Sequence, residues 1–129
     1  MAAYLLDTSV IIDVLNGKRD RQTLLAELLR AGNTLGCCAV NVTEVYASMR
    51  TSEADLTGEF MSSLEYYDIT RPIARKAGRL KRDWVRKGKT ISLADVTIAA
   101  VAMVNRLALA TDNVKHYPMP ELEIYPLPK

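Results

Sequence analysis

The chain has 129 residues, 49% of them hydrophobic, with only six glycines and five prolines, which fits one ordered domain with a real core and excludes a disordered polymer. Its net charge of +2 conceals a division: nine basic residues against one acid, Asp83, lie between Arg71 and Lys89, and the remainder is acidic in excess. Two adjacent cysteines, Cys37 and Cys38, and a single histidine, His116, exclude a disulfide framework and a Cys/His zinc site, so the thiols read as small buried hydrophobes in a reducing, cytoplasmic compartment.

Strand-like and helix-like segments alternate along the chain. Ala3 to Leu6 reads as a short buried strand and Thr8 to Leu15 as a helix ended by Asn16-Gly17. Asp7 and Asp13 interrupt this apolar start, which lacks the basic n-region and cleavage site of a signal peptide. Asp20 to Arg30 carries Leu24, Leu25, Leu28 and Leu29 at helical spacing, with Gly32 to close it. Thr34 to Val40 is a second strand. Helices are predicted from Asn41 to about Met49, Ser52 to about Leu64 and Pro72 to about Arg86, with a short strand at Tyr67 to Ile69. Ser92 to Asn105 is an apolar helix without an evident solvent face, and its core from Val96 to Val104 is too short to span a bilayer, so no membrane partner is expected. Leu107 to Ala110 is a buried strand and Glu123 to Tyr125 an edge strand. This alternation predicts an α/β fold with a parallel sheet flanked by helices.

Asp95 is the only charged residue between Lys89 and Arg106. A carboxylate in such a setting is expensive unless positive charge or hydrogen-bond donors compensate for it. Asp7 closes the run Tyr4-Leu5-Leu6, and Glu44 follows Cys37-Cys38-Ala39-Val40. Capping is the competing reading for each: Asn41 to Glu44 and Ser92 to Asp95 have cap-box spacing, and Asp7 can cap the helix starting at Thr8. Together they read differently. In an open α/β sheet, ligands bind beyond the carboxyl ends of the strands, and all three acids fall at such junctions. Converging carboxylates repel unless a cation holds them, and oxygen-only ligation suits Mg²⁺ or Mn²⁺. A further acid stands in Thr111-Asp112-Asn113.

Four segments in this order resemble the PIN-domain ribonucleases, and most of all the VapC-like toxins of bacterial toxin–antitoxin pairs. They are Leu5-Leu6-Asp7-Thr8-Ser9-Val10-Ile11-Ile12, Glu44, Ser92-Leu93-Ala94-Asp95, and Thr111-Asp112-Asn113-Val114-Lys115-His116-Tyr117. The likeness covers essentially the whole chain. It implies a single domain over 1–129 with a PIN-like three-layer fold, a central, mostly parallel sheet flanked by helices. It also implies a Mg²⁺- or Mn²⁺-dependent endoribonuclease that hydrolyses RNA phosphodiester bonds by metal-activated water. Its catalytic carboxylates and metal ligands are Asp7, Glu44 and Asp95, and the implied partners are a second copy in a homodimer and a cognate antitoxin. In such toxins the fourth ligand stands at the third position of the Thr-x-Asp/Asn motif, which here is Asn113. Asp112, one residue earlier, is the alternative. Asn113 brings no charge, which leaves the metal count open. Thr8, Ser9 and Thr111 can orient ligands or waters through their hydroxyls, with capping as the competing reading.

Metal ions can activate water, neutralise the phosphate and assist the leaving oxygen, so a chain with one histidine can still be a nuclease. His116 therefore receives no catalytic role and reads as structural, solvated or a phosphate contact. On the helix from Pro72, Ile73, Ala77, Leu80 and Trp84 form an apolar stripe, placing Trp84 in the core. Arg75, Arg79, Lys81, Arg82 and Arg86 lie mostly off that stripe, and Arg75, Arg79, Arg82 and Arg86 are the expected RNA contacts. A haloacid-dehalogenase-type phosphotransferase would need an Asp at position 9, where Ser stands, and a nucleotide-binding enzyme would need a glycine-rich phosphate loop, which the scattered glycines do not form. A catalytically silent PIN domain that binds RNA or a partner is the alternative.

Overall fold

The computed structural model describes all 129 residues. Five strands, β1 (Ala3–Leu6), β2 (Thr34–Cys38), β3 (Glu65–Tyr67), β4 (Ala108–Thr111) and β5 (Ile124–Pro126), form one sheet in the order β3-β2-β1-β4-β5. Every pairing is parallel, so the sheet is wholly rather than mostly parallel. Six α-helices connect the strands: α1 (Thr8–Leu15), α2 (Arg21–Arg30), α3 (Ala39–Ser48), α4 (Ala54–Ser62), α5 (Arg71–Arg86) and α6 (Leu93–Val104).

Successive strand residues face opposite sides, and the strands are short apolar runs because both faces are covered. Leu5, Cys38 and Leu109 point into a core shared with α5 and α6. Leu6, Cys37 and Ala110 point into a second core with α1, α2, α3 and α4. This gives the three expected layers. The adjacent cysteines therefore part company across the sheet, both free and buried, and burial pushes the Cys37 thiol up to about 11.

Most elements fall where periodicity places them, with informative shifts. β2 ends at Cys38 and α3 begins at Ala39, two residues before the expected start, so Asn41 lies inside the helix rather than ahead of it. β3 runs Glu65–Tyr67 instead of Tyr67–Ile69 because its first residue pairs with Gly36. A Cβ at Gly36 would meet the Tyr67 ring at 2.5 Å, so this close strand approach requires glycine. The predicted helix from Ser52 starts with a 3₁₀ turn, Thr51–Glu53. α6 is not apolar on every side against protein: Leu93 is 66% exposed and Val104 48%. No helix is long and apolar enough to cross a membrane.

The chain builds β1, β2 and β3 outward in one direction, then returns to place β4 on the other side of β1. The reversal opens a crevice between the carboxyl ends of β1 and β4, the usual ligand position in such sheets.

Candidate active site

Asp7 stands at this crevice, immediately after β1, with its backbone N–H donating to Ala110 of β4 at 3.0 Å. It is the N-cap of α1, Oδ1 accepting from the Thr8 N–H at 2.9 Å. Capping and site membership are thus compatible. Oδ2 accepts from Thr111 Oγ1 at 2.7 Å, and the Tyr117 hydroxyl lies 3.0 Å from Oδ1. Burial pushes the Asp7 carboxyl above its ordinary value; the Thr111, Tyr117 and Thr8 hydrogen bonds oppose that rise and the nearby Asp95 charge adds to it.

Asp95 comes from the first turn of α6, where Ser92 Oγ caps the helix by accepting from the Asp95 N–H at 3.1 Å. Its side chain reaches the same tyrosine, with Oδ1 3.2 Å from the Tyr117 hydroxyl. His116 Nδ1 lies 3.4 Å from Asp95 Oδ2. Burial, then the two carboxylates, raise the Tyr117 hydroxyl far above its ordinary value, so it is a proton donor here.

Glu44 is not a cap-box acid. Asn41 turns back to accept from the Cys38 N–H at 2.8 Å and donates to Thr8 Oγ1 at 3.0 Å. Thr8 Oγ1 in turn donates to Glu44 Oε1 at 2.7 Å. The fully buried Asn41 therefore orients the threonine that holds Glu44. The fourth position divides. Asn113 Nδ2 donates to Ser9 Oγ at 3.3 Å and its N–H to Thr111 Oγ1 at 2.9 Å, which keeps it beside the acids. Asp112 turns away: its Oδ2 lies 3.1 Å from both Arg19 Nη1 and Arg21 Nη2, and Arg21 is 1% exposed. That oxygen is committed to a buried ion pair, so of the two candidates Asn113 is the one facing the crevice.

No three Asp, Glu, His or Cys side chains close on one point. The set is a carboxylate pair, Asp7 and Asp95, with Glu44 one hydroxyl away. Mg²⁺ is commonly held by one or two carboxylates plus water and substrate phosphate, so these residues fit such an ion. The single Tyr117 proton also serves two carboxylates, leaving a charge imbalance that a cation relieves.

The expected RNA contacts on α5 are all exposed: Arg75, Arg79, Arg82 and Arg86. Toward its carboxyl end α5 is tied to the loop that leads into α6, Lys81 Nζ donating to the Ile91 carbonyl at 2.6 Å. Arg75 precedes Arg86 by three helical turns, about 16 Å along the axis. Trp84 is only partly buried, its ring packed on the core and under Lys87 Nζ at 4.5 Å.

The PIN domain family profile matches residues 4–121. The chain belongs to the PIN-domain family. It is 36% identical to Ribonuclease VapC19 of Mycobacterium tuberculosis over 120 residues, covering 92% of this chain and 96% of that one. Ribonuclease VapC10 of the same organism is also 36% identical, over 89% of this chain and 86% of its own. Among solved structures, a chain of the VapBC2 complex from Rickettsia felis, bound to a fragment of its promoter DNA, superposes with a TM-score of 0.83 at 25% identity, covering 98% of this chain and 99% of that one. DNA-bound VapBC from Salmonella typhimurium gives 0.82 at 20%, over 98% of each chain, a likeness of fold alone. The resemblance to PIN-domain ribonucleases and their VapC-like members is borne out.

Sequence reasoning missed three participants. Tyr117 lies in a quoted motif, but a tyrosine before Pro118 carries no sign that its hydroxyl joins two acids. Asn41 reads as a cap because the helix starts earlier than its pattern shows. His116, placed on an open loop, stands against Asp95.

Proposed function

We propose that this chain is a metal-dependent endoribonuclease and the toxin of a toxin–antitoxin pair. The observation that carries the reading is the meeting of Asp7 and Asp95, 88 residues apart in sequence, on one buried hydroxyl at the sheet's switch point. The identity to two proteins named Ribonuclease VapC supports the chemistry, and the likeness to a VapBC complex supports an antitoxin partner.

Asp7, Asp95 and, through a neighbouring water, Glu44 would hold Mg²⁺ or Mn²⁺, with the Asn113 amide as the uncharged fourth side chain. The ion supplies an activated water, charge neutralisation at the phosphate and help for the departing oxygen. The residues around it keep the acids in place. Thr111 and the Thr8 N–H fix Asp7, the Tyr117 hydroxyl spaces Asp7 from Asp95, and Thr8 aims Glu44. Ser9 steadies Asn113. Arg86 and the rest of the basic α5 face offset the repulsion between RNA and an acid-lined crevice.

Two open apolar surfaces support protein partners, a second copy and an antitoxin. One is lined by Leu25, Leu29, Leu35, Phe60 and Leu64, and the other by Val40, Ile69, Leu93 and Ala94. Exposed Leu29 and Leu93 lose water contact only when something covers them. Two free, buried thiols fit a reducing compartment, so the pair would act in the cytoplasm.

The test is cleavage of a mixed structured RNA pool by purified protein in Mg²⁺, Mn²⁺ or EDTA, beside Asp95→Asn purified identically. Cutting that needs both metal and Asp95 is the expected result. Equal cutting by the variant would remove Asp95 from the chemistry. A second reading, an RNA-binding module that does not cut, is favoured by the lack of a three-acid cluster and by the uncharged Asn113. Metal binding without cutting of any RNA would select it.

A further inference from the structure

A cleft of about 410 Å³ opens beside Asp95, lined by Lys89, Thr90, Ser92, Asp95, Lys115 and His116 but not by Asp7. Ile91 is its one apolar residue, and charged and hydroxyl side chains make up most of the rest of the lining. We propose that this cleft is a phosphate subsite, holding an RNA backbone phosphate next to the one that is cut. The proposal rests on the nuclease reading and moves the main backbone contact from the α5 face to the loop after it.

Three features converge on an anion. The Lys89 ammonium is fixed by donating to the Lys115 carbonyl at 2.7 Å, which leaves two of its three hydrogens for a ligand. The same bond ties the α5–α6 loop to the turn carrying Lys115 and His116, so both lysines stand on one rim. Thr90 and Ser92, ahead of the twelve-residue α6, form another wall, where the positive end of the helix dipole favours negative charge. The one acid in the cleft, Asp95, is turned toward Tyr117 and His116. A phosphate on the lysine rim would share its cleft with Asp95, one member of the acid pair. No arginine of α5 is among the residues that line this cleft.

The test is binding of a fluorescently labelled twelve-nucleotide single-stranded RNA in EDTA, by anisotropy, between 50 and 200 mM NaCl. Each lost phosphate contact on a single strand lowers the salt slope by about 0.7. Lys89→Gln/Lys115→Gln empties a subsite for one phosphate and should lower it by about 0.7, so the variant loses about 2.6-fold less affinity over that range than the wild type does. Lys89→Arg/Lys115→Arg should keep the wild-type slope, which a lost tether alone would not explain. Arg30→Gln/Arg106→Gln removes the same charge ahead of the amino ends of β2 and β4, away from the crevice at their carboxyl ends, and should leave the slope near the wild-type value. A slope change equal to that of this control overturns the subsite while leaving the nuclease reading intact. A change seen only with 5′-phosphorylated RNA overturns it in favour of a terminal phosphate. Wild-type protein that binds no RNA at any salt overturns both.

Discussion

Asp7 and Asp95 share a single proton. Their Oδ1 atoms lie 3.0 and 3.2 Å from the Tyr117 hydroxyl, which has one hydrogen to give. The tyrosine is 3% exposed, so water does not make up the deficit from its side. One hydroxyl thus sets the spacing of two acids while leaving their joint charge uncompensated.

Removing that hydroxyl separates spacing from folding. Partners of metal-binding carboxylates typically contribute 10–100-fold in metal affinity. Tyr117→Phe should therefore weaken Mn²⁺ binding by about tenfold or more, read by calorimetry, while circular dichroism shows an unchanged fold. Unchanged Mn²⁺ affinity in a less stable variant would reduce Tyr117 to a packing residue.

The Asp7 charge should burden the metal-free fold. Its folded pKa lies above the ordinary carboxyl value of 3.8, so between the two values the folded state binds more protons than the unfolded chain. Stability in EDTA then falls as pH rises through that window, and the loss persists at neutral pH. Asp7→Asn removes this contribution. Its melting temperature in EDTA should exceed that of the wild type at pH 7, and the gap should close as pH falls toward 4. Mn²⁺ should stabilise the wild type and leave the variant almost unmoved. A variant that melts lower than the wild type at pH 7 contradicts the account.

The ion pair between Arg21 and Asp112 should matter for folding and little for chemistry. Arg21 Nε and Asp112 Oδ1 have no partner, so the network is already incompletely satisfied. Removing one member of a buried pair strands the other, at about 3–5 kcal/mol. Arg19, half-exposed, also reaches Asp112 and softens the loss. Arg21→Met is expected to cost about 3 kcal/mol in urea unfolding. A loss under about 1 kcal/mol would show that Arg19 alone compensates Asp112.

Thr8→Val tests the relay from Asn41 to Glu44. The change keeps the shape and deletes the oxygen that takes the Asn41 proton and gives one to Glu44. A stranded buried amide destabilises by about 1–3 kcal/mol. If Glu44 serves the reaction, kcat should fall more than that loss of folded protein explains, with KM nearly unchanged. A wild-type kcat for the folded fraction would leave Glu44 without a role in turnover.

What was legible in the sequence follows from locality. Alternating apolar runs fixed the strands to within two residues, and the oddity of Asp95 in an apolar helix and Asp7 after an apolar strand needed no partner to be seen. What was not legible depends on pairs distant in sequence. Asp112 looks as eligible as Asn113 until Arg21, 91 residues earlier, is seen to hold it. The start of α3 was misplaced because Ala39 and Val40 continue the apolar run of β2, and only Asn41 folding back onto Cys38 marks the end. Lys89 and Lys115 looked like ordinary surface charge because nothing local shows that they share one rim of a cleft.

The strand order also sets a schedule. β1 is synthesised first yet lies in the middle of the sheet, and its second neighbour, β4, is made more than a hundred residues later. Until then Asp7 has neither Thr111 nor Tyr117, and one edge of β1 stays bare. An emerging chain therefore carries the acids without the site, and whatever they do begins only once residue 117 has left the ribosome. A premature stop before Ala108 yields a product with all three carboxylates and no means of assembling them.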